Sequence, residues 1–330
     1  MSDTEMINKN KSRFSATAGR IMMFKETPLI LVIAVAVIIL TIIKPTFVVP
    51  GNIHSILLGS SFELIIAIGM TALFISGGFD LSVGSVAGFS GIMVGIMLSN
   101  DFGIGFSIII GLLAATGVGL LNGLIIAKLK VNALITTLAM QSIVRGVIYV
   151  LTRGLGKPNL PDEFNVIART SFFGIQTPII ITFVLMIIFG AIYAKSGFFR
   201  QYYFIGGSEE AARLSGIRVD RLRVGVYTFV GFMSGVSGLL MASRMGGAIP
   251  TSGQGMEMNV IAGCVIGGAS LAGGEGTMFG TFLGILIMAI VVNAFNILGV
   301  NIYWQRLILG LILLVAVLGD TLRKNKMHKA

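Results

Sequence analysis

The sequence predicts an all-α polytopic membrane protein with about ten transmembrane helices. Hydrophobic side chains make up 55% of its 330 residues, and charged side chains make up only 12%. A soluble domain carries about 25% charged residues. Glycine is also overabundant, at 44 of the 330 residues, where an average chain has roughly 7%. These three observations exclude an ordinary soluble fold.

The first predicted span is the apolar stretch 27–43, which follows a polar, lysine-rich tail at residues 1–26. About 20 mostly apolar residues are needed to cross a hydrocarbon core roughly 30 Å thick. A secretory signal peptide is the alternative, but no small-residue cleavage site follows Ile43. We therefore expect an uncleaved first helix.

Nine further apolar runs, with Glu63 and Arg145 as their only charged residues, complete the predicted membrane domain, residues 27–319, which a tail at 320–330 follows. They cover residues 53–76, 81–98, 102–127, 131–152, 174–194, 224–243, 258–274, 277–301 and 307–319. A broken or re-entrant helix at Gly77-Gly78 or Gly273-Gly274 would give the same pattern. Any count from eight to eleven spans is therefore compatible with the sequence.

The distribution of basic residues predicts the orientation. With the N-terminus in the cytoplasm, 17 of the 24 Lys and Arg residues fall in cytoplasmic segments, six in external segments, and Arg145 within a span. This positive-inside bias predicts that both termini are cytoplasmic. The net charge of +10 is then a topology signal, so nucleic-acid binding loses its support.

Glycines at helical spacing predict tight packing between the spans. Helices in lipid do not attract one another hydrophobically, so close approach at small residues supplies packing energy. Such stripes run through residues 84–95, 111–123, 231–238 and 276–284. They indicate a helix bundle and say nothing about its ligand.

Catalytic chemistry is not indicated. The ionisable groups at predicted membrane depth are Glu63, Asp80 and Arg145, and no two of them lie three or four residues apart. The two histidines stand far apart and Cys264 is the only cysteine. The segment 154–158 lacks the first glycine and the Ser/Thr of a phosphate-binding loop. We expect no catalytic residue, metal or cofactor in this chain.

One cytoplasmic segment reads as a short helix with its own start and stop signals. Ser208 is the predicted N-cap, Glu209 and Glu210 occupy the first turn, and Gly216 ends the helix. Glu209 and Arg213 form a favourable i,i+4 pair. An isolated helix this short is unstable in water, so something must pack on it.

This segment resembles the EAA-x3-G loop of bacterial ABC-importer permeases, through Glu210-Ala211-Ala212 and Gly216. The wider similarity covers about residues 45–320 and points to the monosaccharide branch of ribose, galactose and arabinose permeases. It includes Gly69-Met70, the string from Gly78 to Ser85, the segment 203–219 and the run 255–276. The hydrophobic-proline ending of the loop is replaced by Val219-Asp220-Arg221, as that branch leads us to expect.

The resemblance implies a ten-helix, vitamin-B12-permease-like core in the bacterial inner membrane. Its implied partners are cytoplasmic ATPase subunits that hold ATP and Mg, a periplasmic or lipid-anchored sugar-binding protein, and a second permease copy. The loop at 195–223 would carry the coupling helix that seats on the ATPase. The implied coupling residues are Gly206, Gly207, Glu209, Glu210, Ala211, Ala212, Arg213 and Gly216.

Five residues are candidates for the substrate pathway or a gate: Glu63, Phe79, Asp80, Ser82 and Asn293. A carboxylate at membrane depth is costly, which makes Glu63 a functional candidate; the alternative is a hydrogen bond to Ser60 or Ser61. Asp80 follows a glycine pair that permits a turn, and its alternative role is to cap the next helix. Arg145 is expected to snorkel or to pair.

The alternative function is an ion-coupled secondary transporter or channel without an ATPase. Broken helices at glycine pairs are compatible with it. Proton or sodium coupling, however, usually requires more intramembrane acids than Glu63 and Asp80.

Overall fold

The computed structural model describes residues 26–327, with side chains described as far as Leu322. The predicted N-terminal tail, apart from Glu26, and the last three residues lie outside this range. The described chain forms thirteen α-helices, one short 3-10 helix at Pro45–Val48 and four strands of two residues each.

The helices are bounded as follows: α1 Thr27–Ile43, α2 Pro50–Ile75, α3 Val83–Ser99, α4 Ile104–Lys128, α5 Ala133–Thr152, α6 Asp162–Arg169, α7 Thr177–Lys195, α8 Gly197–Gly207, α9 Glu209–Leu214, α10 Val219–Met245, α11 Met256–Ile266, α12 Met278–Ile297 and α13 Ile302–Met327. The strands are β1 Lys157–Pro158, β2 Ser171–Phe172, β3 Ile175–Gln176 and β4 Gly247–Ala248. They form two antiparallel pairs, β1 with β4 and β2 with β3.

Seven of the described helices are long and apolar enough to cross a membrane: α2, α4, α5, α7, α10, α12 and α13. Three shorter apolar helices, α1, α3 and α11, occupy the remaining predicted spans. A helical polytopic membrane protein is therefore confirmed. The count of ten crossings stays a prediction, because the three short helices fall below the usual spanning length.

The predicted span 258–274 is wrong at its C-terminal end, because α11 stops at Ile266. The amide of Ala269 donates to the carbonyl of Cys264 (2.9 Å), and Gly268 has a φ of +88°, which together close the helix with a left-handed turn. The next eleven residues form a glycine-rich loop, residues 267–277, which we call the glycine loop. Three of its glycines beyond Gly268 also have positive φ: Gly273, Gly274 and Gly276.

Helix α10 lies at the centre of the bundle and packs against α2, α3 and α4. Its glycines allow that close approach: a Cβ atom on Gly119 of α4 would lie 2.9 Å from the Cα atom of Gly231. At Gly238 an added Cβ would collide with the backbone of Ala87 on α3. The glycine stripes therefore mark real helix contacts, as predicted, except that Gly276 lies in the glycine loop and not on α12.

Two predicted loops contain secondary structure. The segment 153–173 includes α6, and the segment 195–223 includes α8 as well as α9. Because α7 separates α6 from α8, these elements lie at opposite ends of the bundle. We call them the α6 end and the α9 end.

Candidate coupling and pathway sites

Helix α9 has the predicted start and stop. The Ser208 side chain accepts a hydrogen bond from the amide of Ala211 (3.2 Å). At the other end, the amide of Ile217 donates to the carbonyl of Ala212 (3.0 Å), and Gly216 has a φ of +82°. This is the left-handed stop that glycine makes without strain.

The inner face of α9 packs on its own chain. Ala212 is only 2% exposed and lies in a small apolar cluster with Ile205 of α8 and Val219 of α10. Leu222 packs against the same cluster. The bundle therefore supplies part of the support that so short a helix needs.

A network of five charged side chains ties α9 to its surroundings. Glu209 accepts from Arg213 (2.8 Å) and from Arg223 of α10 (2.8 Å). Asp220 accepts from Arg213 and from Lys130, which follows α4 (2.9 Å for Lys130). The predicted Glu209–Arg213 pair is confirmed. Because ion pairs this exposed contribute little stability, the network mainly sets the orientation of α9.

The network also shifts the pKa values of Glu209 and Arg213. Partial burial raises the pKa of Glu209, but the hydrogen bonds and charges of Arg223 and Arg213 outweigh it, and the net pKa is below the ordinary value. The hydrogen bonds from Arg213 to Asp220 and Glu209 raise the pKa of the Arg213 guanidinium. Glu209 and Arg213 are thus both charged at neutral pH.

The outer face of α9 is free of such contacts within the described residues. Glu210 and Ala211 are exposed, and Leu214 is 84% exposed. An apolar side chain beside an unpaired carboxylate, on a helix held rigid from behind, suits docking of another protein.

The α8–α9 segment touches both of the predicted joints. A Cβ atom on Gly273 would lie 2.8 Å from the Cα atom of Gly206 and 2.9 Å from that of Gly77. The amide of Gly274 donates to the carbonyl of Ile75 at the end of α2 (2.9 Å). We call the meeting of these three backbones, at Gly77, Gly206 and Gly273, the glycine junction. The Gly207 backbone lies beside Gly274, but a Cβ on Gly207 would point into open space, with nothing within 4 Å.

Asp80 lies in a closed polar cluster. Its carboxylate accepts from the amide and hydroxyl of Ser82 (2.7 and 2.6 Å) and from the side chain of Asn122 on α4 (3.1 Å). The predicted capping is wrong in detail: Ser82 occupies the N-cap position of α3 and makes no side-chain cap, while Asp80 closes the turn before it. The carbonyl of Phe79 accepts from the hydroxyl of Tyr227 (3.1 Å).

The two other pathway candidates lie elsewhere. Glu63 accepts from the side chain of Asn259 on α11 (2.8 Å), whereas Ser60 and Ser61 both donate to Leu57. The predicted serine partners of Glu63 are therefore wrong. The side chain of Asn293 exchanges two hydrogen bonds with that of Asn52 on α2 (2.8 and 3.0 Å). The five candidates are thus not one cluster, and their role in a pathway stays a prediction.

Sequence analysis missed one acidic residue inside the bundle. Glu257, in the first turn of α11, is 5% exposed and accepts from Gln141 of α5 (2.8 Å). It was missed because the predicted span began one residue later, although a lone acid opening an apolar run was the available signal. Arg145 does not snorkel: it donates to the carbonyls of Pro250 and Ser252 (2.5 and 3.1 Å).

Comparison with known proteins assigns a family to this arrangement. The chain matches the family described as "Branched-chain amino acid transport system / permease component" over residues 52–317. The L-arabinose transport system permease protein AraH of Escherichia coli is 37% identical over 325 residues, 98% of each chain. The L-arabinose ABC transporter permease protein AraH of Azospirillum brasilense is 36% identical over 313 residues, 94% of this chain and 92% of the relative. The ribose import permease protein RbsC of Bacillus subtilis is 37% identical over 288 residues, 87% of this chain and 89% of the relative. No solved structure matches the chain.

Proposed function

The chain belongs to this family of permease components, and from that premise we propose that it is the membrane subunit of an ATP-driven importer for a monosaccharide or related small polyol. Relatives named for arabinose and ribose, aligned over most of their length, support the substrate class. The main structural support for the mechanism is the environment of α9: one face of this helix packs on its own chain, and the other face is exposed.

The outer face of α9 docks on a cytoplasmic ATP-binding subunit. Glu210, Ala211 and Leu214 form the contact surface, since all three are exposed. Glu209, Ala212 and Arg213 act inside the chain, where they fix the angle at which α9 is presented. The residues that resemble the EAA-x3-G loop thus form two groups: some face the partner, and the others hold the helix in place.

This assignment orients the molecule. The α9 end and both termini face the cytoplasm, and the α6 end faces a periplasmic or lipid-anchored sugar-binding protein. ATP and Mg reside on the ATPase, and this chain carries no cofactor of its own. A second permease copy completes the pathway across the inner membrane.

Motion of the ATPase reaches the bundle through α8. ATP binding closes the ATPase dimer and displaces α9, which only Ser208 separates from the end of α8 at Gly207. Gly206 touches the end of α2 and the glycine loop, so displacement of α8 moves both. A two-state rearrangement of this kind would switch access between the two sides of the membrane.

Charge reversal at Glu210 tests the docking face. We expect Glu210→Arg to abolish copurification with the ATPase subunit and sugar-stimulated ATP hydrolysis. The matched control is Glu163→Arg, an exposed glutamate in the first turn of another short helix, at the α6 end; it should leave copurification unchanged. Retention of both assembly and stimulated hydrolysis by Glu210→Arg would show that the docking assignment is wrong.

No observation favours the ion-coupled alternative. The two acids that it would use are each engaged by neutral partners, Asp80 by Ser82 and Asn122 and Glu63 by Asn259.

A further inference from the structure

A cavity of about 580 Å³ lies between α11 and α13, with a mostly apolar lining that includes several polar side chains. Its polar lining residues are Gln254, Glu257, Asn259, Gln305 and Arg306, and three methionines line it as well. Small-molecule sites typically have volumes of about 300–1,000 Å³. Polar side chains between two apolar helices are costly unless they face water or a ligand. The cavity is therefore a candidate ligand site.

Asn259 presents an acceptor oxygen to this cavity. Its amide nitrogen donates to Glu63 on α2 (2.8 Å), and a carboxylate only accepts, so the bond determines which way the amide is turned. The carbonyl oxygen of Asn259 consequently points away from Glu63, and it makes no hydrogen bond within residues 26–322. Glu63 acts here as a positioning residue.

Gln305 repeats the arrangement on the opposite wall. Its amide nitrogen donates to the carbonyl of Val300 (2.9 Å) and to the side chain of Asn296 (3.2 Å). Its oxygen has no partner within residues 26–322. Arg306, the next residue, is exposed and forms no ion pair in the same range. The cavity thus offers two acceptor oxygens and one strong donor.

This combination suits a neutral polyol. Sugar hydroxyl groups both donate and accept, so they can pair with the amide oxygens and the guanidinium together. The lining carries one basic and one acidic side chain, Arg306 and Glu257, so it is not of a single charge sign. Met256, Met258 and Met288 supply flexible apolar walls, which adapt to a moving ligand.

We propose that this cavity is a transit site for the imported sugar, in which the Asn259 oxygen accepts from a sugar hydroxyl and Glu63 positions Asn259. The proposal rests on the proposed function for the nature of the ligand. It extends that function by placing a sugar contact inside the permease, on residues that the coupling mechanism does not use.

The first test measures uptake and ATP hydrolysis by the assembled complex in liposomes, with whichever of L-arabinose and D-ribose the wild type imports. Asn259→Leu should lower sugar uptake per ATP hydrolysed about tenfold, the size of one lost hydrogen bond of about 1.4 kcal/mol. Glu63→Leu should lower it similarly, whereas Glu63→Gln, which keeps an acceptor for Asn259, should restore most of it. Asn100→Leu is the control, since Asn100 is exposed and bonds within its own helix. An unchanged ratio for Asn259→Leu would overturn the proposal.

A cysteine-labelling experiment tests the proposed site without measuring transport or ATP hydrolysis. Asn259→Cys should react with a charged, membrane-impermeant thiol reagent, and the imported sugar should slow the reaction. The native Cys264 is fully buried, and Leu113→Cys replaces a side chain that is 61% exposed at the middle of α4, where we expect lipid. Labelling of Asn259→Cys no faster than Leu113→Cys would contradict a water-filled site. Failure of the wild-type complex to hydrolyse ATP in response to a sugar-loaded binding protein would instead count against the proposed function.

Discussion

Gly206 and Gly273 lie in backbone contact, so close that a Cβ atom on Gly273 would stand 2.8 Å from the Cα atom of Gly206. Gly206 lies three positions before Glu209, where the proposed coupling helix begins, and Gly273 belongs to the glycine loop between α11 and α12. The contact therefore joins the segment that would receive the ATPase motion to a segment inside the bundle. Only glycine allows two backbones to approach this closely.

The glycine junction predicts opposite outcomes for two adjacent substitutions. A Cβ at Gly206 would collide with the Ile75 carbonyl and the Gly274 amide, whereas a Cβ at Gly207 would meet nothing within 4 Å. We expect Gly206→Ala to destabilise the protein by about 1–3 kcal/mol, as overpacking does, and to impair coupled transport. Gly207→Ala should behave as wild type. Thermal unfolding and sugar uptake measure the two effects, and equal behaviour of the two variants would argue against the junction.

The N-cap of α9 predicts a local loss of stability. Ser208→Ala removes the oxygen that accepts from the Ala211 amide, and such a loss costs about 1 kcal/mol. Hydrogen exchange of the α9 amides should accelerate about fivefold, with little change in the membrane helices. Ser215→Ala, at the exposed C-cap, is the control. Unchanged exchange after Ser208→Ala would mean that packing of Ala212 alone holds the helix.

The lowered pKa of Glu209 predicts a pH dependence of α9. A carboxyl whose pKa falls on folding contributes stability above its unfolded value, about 4.3 for glutamate, and that contribution is lost as the pH falls through the folded value. Hydrogen exchange of α9 should therefore stay protected at neutral pH and lose protection under acid conditions. Glu209→Gln should remove part of this dependence, and Asp220, whose pKa the hydrogen bonds from Arg213 and Lys130 lower to about 2, carries the rest. An identical pH profile for the variant would assign the effect to another group.

Arg145 predicts a structural penalty inside the membrane. Arg145→Leu would leave the carbonyls of Pro250 and Ser252 without their donor, and each buried unpaired group costs about 1–3 kcal/mol. We expect a clear fall in the thermal unfolding midpoint. Arg221→Leu, at an exposed position without an ion pair in residues 26–322, should leave the midpoint almost unchanged. A stable Arg145→Leu protein would show that water replaces the guanidinium.

Local features of the fold could be predicted from the sequence because their signals are local. The cap at Ser208, the stop at Gly216 and the Glu209–Arg213 pair depend on residues within one or two turns of each other, and all three are present. The glycine stripes were also informative, since regular helical spacing indicates packing. Pairs such as Gly273-Gly274 lie in loops instead, and α11 ends well before them, at Ile266, because Gly268 makes a left-handed turn.

Long-range partners could not be predicted. Glu63 and Asn259 are 196 residues apart, and the sequence around either residue does not indicate that the other is its partner. The same holds for Lys130 and Asp220, and for the meeting of Gly77 with Gly206 and Gly273. These contacts depend on how helices are arranged around α10, which one sequence alone does not specify.

Sugar accumulation in sealed liposomes tests the central claim most directly. The purified chain is reconstituted alone or with its ATPase and sugar-binding partners, with ATP supplied on the side of the ATPase. The account predicts accumulation only when the partners and ATP are all present, and none with the chain alone under a proton or sodium gradient. Gradient-driven accumulation by the chain alone would contradict it.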